Sequence, residues 1–119
     1  MTKEIVNDLG KIIISKDVIA NLAGIAATEC FGVVGMVSSR IFSDGLTGLL
    51  GKEALSKGVD VSTAQDALSI KIGIVVSYGM NVSVVAHNVM ENVRYTVEKH
   101  TGLKVHNVDV NIQAIKIVD

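Results

Sequence analysis

Residues 68–118, LSIKIGIVVSYGMNVSVVAHNVMENVRYTVEKHTGLKVHNVDVNIQAIKIV, read as strand, turn, helix and strand. Leu68 to Ser77 is rich in β-branched residues and ends at Tyr78-Gly79, so it predicts a buried strand followed by a turn. Asn81 is an N-cap residue at the head of a regular amphipathic segment, and Gly102 is the stop signal at its end. Within that segment Val82, Val85, Ala86, Val89, Met90, Val93 and Val97 share one side at the helical period, while His87, Glu91, Arg94 and Glu98 share the other. This is the pattern of a helix covering a sheet. Valine is a modest helix former, so packing rather than propensity must hold the helix. Lys104 to Val118 predicts one or two closing strands.

Working outward, Val59 to Thr63 pairs naturally with Leu68 to Ser77 as a hairpin turning at Ala64 to Asp66. Upstream, Gly10 to Ile14 predicts a strand, and Ser15 is the N-cap of a helix reaching about Cys30. Phe31-Gly32 ends that helix, and Val33 to Val37 predicts another strand. From Ser38 to Gly58 the composition turns to Ser, Gly, Lys and scattered Leu, which reads as a long connection with a short helix near Asp44 to Leu50. A faint echo of strand, capped helix and Val-rich strand, around Ile12 to Val37 and again around Ile70 to Val110, favours a sheet with both helices on one face. The fold class expected is α+β: a two-layer sandwich whose mixed sheet of about four to five strands carries two long helices on one face.

The bulk properties fit a single domain over residues 1–119, with one core. Apolar residues make up 49% of the chain and aromatics 3%, so that core must be aliphatic. Eleven basic against 12 acidic residues give a net charge of -1, which removes the electrostatic footprint of a dedicated nucleic-acid binder. A lone cysteine, Cys30, cannot form an internal disulfide and fits a reducing compartment. Its place at a helix end beside apolar residues predicts a buried, inert thiol. No signal-peptide run occurs at the N-terminus, and the apolar stretches fall short of the ~20 residues that span a bilayer. A cytoplasmic protein is expected, with any membrane contact peripheral.

No catalytic, cofactor-binding or metal constellation emerges. Gly48-Leu49-Leu50-Gly51 has the outline of the GxxG loop of KH domains, but its middle residues are leucines. Gly45 and Gly51 are spaced wrongly for a phosphate loop, and Lys52 is followed by Glu53. His87, Glu91, Arg94 and Glu98 lack the second His/Glu pair that a metal site needs, and read as a solvated charged ladder.

Two apolar features stand out. The first helix has Val18, Ile19, Leu22, Ile25 and Ala26 on one side and the small residues Ala20, Ala23, Gly24 and Ala27 on nearly the opposite one. That small face is a close-packing surface, either against the second helix or as a self-association seam. Phe42, Leu46, Leu49 and Leu50 form an apolar stripe flanked by Arg40 and Lys52 inside the loop-like segment. It is either a satellite of the core or a docking patch for a partner or a membrane surface.

Gly10-Lys11-Ile12 to Ser15, Val18-Ile19, Ala23-Gly24 with Ala26-Ala27, and Gly32-Val33 through Gly35-Met36 resemble the first half of the bacterial alkaline shock protein family. The more distinctive second block is matched by Val76-Ser77-Tyr78-Gly79, Ala86, Asn88-Val89, Val93 to Val97, Thr101-Gly102-Leu103, Val105, Val108 and Val110. The short chain is similar to the stand-alone YloU-like branch of Gram-positive bacteria. Ala114 departs from a glycine expected near the end of the last strand, which puts a bulge there in question. The resemblance implies a cytoplasmic, non-enzymatic interaction or scaffold protein linked to cell-envelope stress, without cofactors. It also implies self-association into a homo-oligomer, or docking on a small integral membrane protein or a fatty-acid-kinase-type protein at the inner face of the membrane. A small KH-like RNA-binding module and an acyl- or lipid-metabolism accessory protein are the alternatives.

Overall fold

The structure is a computed structural model that describes residues 2–36, 58–64 and 67–117. Its elements run β1 (Thr2–Asn7), β2 (Gly10–Ser15), α1 (Lys16–Thr28), β3 (Val33–Met36), β4 (Val59–Ala64), β5 (Ala67–Ser77), α2 (Val82–Thr101) and β6 (Val105–Lys116). It is an α+β fold in two layers, a four-stranded mixed sheet beneath two helices, with β1 and β2 forming a separate two-stranded ribbon.

The central strand is β5. Along one edge it pairs with β6 in parallel, from Leu68 opposite Val105 to Ser77 opposite Lys116. Two antiparallel strands share its other edge: β4 lies beside Ala67 to Ile72, and β3 beside Ile74 to Val76. The chain leaves that edge at Met36, opposite Ile74, and rejoins it at Val59, opposite Ile72. These points are two rungs apart, about 7 Å of strand.

The period-2 pattern of β5 puts Leu68, Ile70, Ile72, Ile74 and Val76 on the helix side, all buried. Against them pack Val85, Val89, Val93 and Val97 of α2, together with Ile19, Ala20, Ala23, Ala26 and Ala27 of α1. Every one of these side chains is aliphatic. Each fully buried valine or isoleucine contributes about 1.5–3 kcal/mol by transfer, which offsets the low helix propensity of the valines in α2.

The helix ends follow the sequence signals. Ser15 accepts from the Val18 N–H at 3.3 Å and Asn81 from the Val84 N–H at 3.2 Å. Gly102 takes the left-handed conformation at φ 74° and its N–H reaches Glu98 O at 2.9 Å, a geometry that disfavours a side chain. Beside it, buried Thr101 donates to Val97 O at 2.6 Å and accepts from the Leu103 N–H at 3.1 Å. These bonds tie the end of the helix to the turn that leads into β6.

Three features differ from the sequence reading. Thr2–Asn7 is a strand, closed onto β2 by a tight turn in which Asn7 Oδ1 accepts from the Leu9 N–H at 2.8 Å. In consequence β2 belongs to the ribbon rather than the main sheet, so only β5, α2 and β6 form a parallel crossover unit. And β6 shifts register between Ile112 and Ala114 although alanine stands where a glycine was expected; an irregularity of this kind does not require glycine in every bulge type.

Candidate interaction surface

Of the four aromatic residues in the chain, Phe31, Tyr78 and Tyr95 lie among the described residues, and none is in the core. Phe31 is 84% exposed and Tyr78 70%. An exposed aromatic gives up the largest hydrophobic contribution a side chain can make to folding, and aromatics are enriched where proteins meet partners.

The backbone brings two of them to one end of the sheet. Gly32 O accepts from the Ser77 N–H at 2.9 Å, and the Tyr78 N–H donates to Lys116 O at 2.8 Å. The turn after α1, the turn after β5 and the end of β6 are therefore tied together. Phe31, Tyr78, Ile115 and Ile117 all stand exposed at that end, where α2 also begins. Gly32 sits at φ +95°, with Val85 and Met80 packed against it.

The face of the sheet away from the helices is polar across its middle. Asp60, Lys71 and Asp109 lie opposite one another on β4, β5 and β6, an acid–base–acid row across three strands. On the next rung of that face Ser69 Oγ donates to Asn107 Oδ1 at 2.8 Å. Such cross-strand pairs stabilise the sheet by about 0.2–1 kcal/mol each.

The sequence-predicted sites fall as follows. Arg40, Phe42, Leu46, Leu49, Leu50 and Lys52 lie outside the described residues, as do the short helix near Asp44 to Leu50 and the GxxG-like loop. Ala20, Ala23, Gly24 and Ala27 are buried within the chain, and α1 packs its small-residue side inward. Asn92 of α2 donates across the helix pair to Ala26 O at 2.8 Å, a contact that only a close helix approach permits. Left outside is the opposite side of α1, where Val18 and Ile25 are about half exposed and Leu22 half-buried.

The charged side of α2 divides by function. His87 Nε2 and Glu91 Oε1 form an exposed pair at 3.0 Å. Arg94, in contrast, donates to Val105 O at 3.3 Å and His106 O at 2.9 Å, and Glu98 Oε2 accepts from the Val105 N–H at 3.0 Å. These two side chains hold the first residues of β6, a role the solvated-ladder reading missed. Their helical spacing showed only that they share a side. Among the described residues no group of His, Cys, Asp or Glu is arranged to hold a metal ion.

Cys30 is half-buried. Its Sγ lies 3.5 Å from Ala26 O and 3.7 Å from Asn92 Nδ2. Burial pushes the thiol above its ordinary pKa; the Asn92 hydrogen bond opposes this and Glu29 adds to it. Since the thiolate is the reactive form, iodoacetamide is expected to label Cys30 in the folded protein more slowly at pH 7.5 than in urea-unfolded protein. Equal rates, followed by mass spectrometry, would show the thiol to be open and ordinary.

A two-layer α+β domain with an aliphatic helix–sheet core, whose described aromatics are on the outside, is the class that fold and surface define. Comparison then places it: residues 4–117 match the model of the alkaline shock protein 23 family, of cell envelope-related function. The chain belongs to that family. It is 43% identical to the uncharacterized protein YloU of Bacillus subtilis over 119 residues, covering 100% of this chain and 99% of that protein. It is 42% identical to the uncharacterized protein Spy1614 of Streptococcus pyogenes, over 99% of this chain and 98% of the relative. It is also 37% identical to YqhY of Bacillus subtilis over 91% of this chain and 78% of that one. Among solved structures, a copper form of a MamM CTD variant matches with a TM-score of 0.53 at 16% identity, covering 86% of this chain and 100% of that chain. At that identity the likeness is one of fold. No helix among the described residues is long and apolar enough to cross a membrane.

Proposed function

We propose that the chain is a non-enzymatic interaction or scaffold protein of cell-envelope stress homeostasis, cytoplasmic or at the inner face of the membrane. It assembles with itself or docks on a membrane-associated protein partner. The observation that supports this reading is the exposure of all three described aromatics while the core formed by the described residues contains no aromatic side chain, two of the three being set with Ile115 and Ile117 at one end of the sheet. Selection for stability alone would place such side chains inside. Their family's cell envelope-related function gives the setting.

Phe31→Ser with Tyr78→Ser tests it by in-cell crosslinking and pull-down beside wild type, with proteins and nucleic acid identified. Both side chains are exposed, so the double variant should keep its circular dichroism and lose less than about 1 kcal/mol of stability. Capture of a discrete envelope protein should fall by tenfold or more, roughly the effect of one interface hot spot. Undiminished capture would remove this end of the sheet from the reading. Abundant RNA without a protein partner would overturn it in favour of a nucleic-acid module.

A further inference from the structure

The β1–β2 ribbon is unlike the rest of the molecule. A two-stranded hairpin by itself is marginal in water. Here only Ile5 and Ile14 lean on the core. Ile12 and Ile13 are about half exposed on opposite faces, Val6 is 72% exposed, and Leu9 at the tip is 100% exposed. Turns of this kind ordinarily take Gly, Asn or Asp, so an exposed leucine there is out of keeping with local chemistry.

The edges of the ribbon differ as well. Natural edge strands are blunted with charges or proline. The β1 sequence carries Lys3 and Glu4, whereas β2 runs Ile12-Ile13-Ile14 and has β1 as its one strand partner among the described residues. Hydrogen-bonded pairs alternate along an antiparallel ladder. Counting from the closing pair Asn7–Gly10, the Ile13–Glu4 pair is a non-bonded one, so the Ile13 N–H and C=O point away from β1.

Resting on the self-association half of the proposed function, we infer that the ribbon is a dimerisation arm, in which the open edge of β2 pairs antiparallel with β2 of a second copy about a two-fold axis at Ile13. The charge balance selects this occupant. Lys3 and Lys11 are matched by Glu4 and Asp8, so the arm has no net charge to draw it to an anionic membrane surface or to nucleic acid, while an isologous contact requires self-complementarity. In the two-fold register Ile13 lies against the partner's Ile13, Ile12 against the partner's Ile14, and Lys11 against the partner's Ser15. No like charges face each other.

Area sets the strength. Val6, Leu9, Ile12 and Ile13 leave half or more of their surface in water, but four side chains fall short of the ~800 Å² per partner of a standard interface. The ribbon leads through Ser15 directly into α1, where half-exposed Val18 and Ile25 extend the surface. The dimer should accordingly dissociate on dilution into the micromolar range.

Size-exclusion chromatography with light scattering, run on the full chain over a dilution series, tests the inference with two variants. Ile13→Pro removes the outward N–H and the half-exposed isoleucine side chain while leaving the bonds to β1 in place, a change that an edge strand tolerates, and should give the monomer mass throughout with an unchanged circular dichroism spectrum. Ile13→Cys in a Cys30→Ser background should form an intermolecular disulfide on mild oxidation, since the bonded-pair Cα separation of about 5.5 Å suits one. If Ile13→Pro fails to fold, the crosslink decides. A wild-type oligomer whose mass survives Ile13→Pro and which does not crosslink through residue 13 would overturn the arm while leaving self-association to another surface. A wild-type monomer at every concentration would overturn both.

Discussion

Ala23→Leu is expected to lower the thermal midpoint by 10 °C or more, or to prevent folding. Ala23 is fully buried, in a run with Ala20, Gly24, Ala26 and Ala27 that lets α1 come close to its neighbours. Overpacking such a site costs about 1–3 kcal/mol. Pushing the helices apart would also stretch the 2.8 Å bond from Asn92 to Ala26 O, worth about 1 kcal/mol. A total of roughly 2–4 kcal/mol is a large share of the 5–15 kcal/mol that typically holds a domain together. Urea denaturation of wild type and variant gives the difference directly. Unchanged stability with an altered oligomeric mass would instead identify the small-residue face as an assembly seam.

Gly32→Ala should be nearly as damaging, by about 2–4 kcal/mol. At φ +95° a side chain is strained whatever the space around it, at about 1–3 kcal/mol. The added Cβ would also sit 2.9 Å from Val85 Cγ2 and 3.1 Å from Met80 Cε. The methionine can move away. Val85 is buried and β-branched, so it cannot rotate to relieve the contact without displacing the first turns of α2. Because Gly32 O accepts from Ser77, the same strain reaches the turn that carries Phe31, and partner capture should weaken along with stability. A loss under about 0.5 kcal/mol in chemical denaturation would be the ordinary result for a surface change, and would refute the close packing of Gly32 against α2.

The aromatic-end and ribbon variants separate effects that these two core changes combine. Phe31→Ser with Tyr78→Ser should alter binding without stability, and Ile13→Pro should alter association without either. Ala23→Leu and Gly32→Ala should alter folding first.

Local signals were sufficient for most of the elements. Ser15, Asn81 and Gly102 mark helix ends by side-chain or backbone chemistry that acts within three or four residues. The alternation from Leu68 to Val76 and the 3.6-residue spacing of the valines in α2 each name the buried side of their own element. The strand Thr2–Asn7 escaped notice because it is short and because its turn contains Asp8-Leu9 rather than a recognisable Asn-Gly or Asp-Gly pair. The aromatic end was not legible either, since Phe31 and Tyr78 are 47 positions apart in the chain and meet at one end only through the bonds from Ser77 to Gly32 and from Tyr78 to Lys116.

By itself, then, the sequence determined most of the elements, their caps, the aliphatic nature of the core and the family, because each depends on residue type at short spacing. Tertiary structure alone decided which side of α1 turns inward, since a helix apolar almost all round has no preferred face until its neighbours supply one; here they closed on the small residues together with Ile19 and Ala26, and left Val18 and Ile25 about half exposed. It also decided that Arg94 and Glu98 hold β6 rather than face water, and that β2 leaves the main sheet for the ribbon. Those outcomes depend on contacts between segments distant in the chain, whose geometry exists only once the β5–α2–β6 crossover has closed.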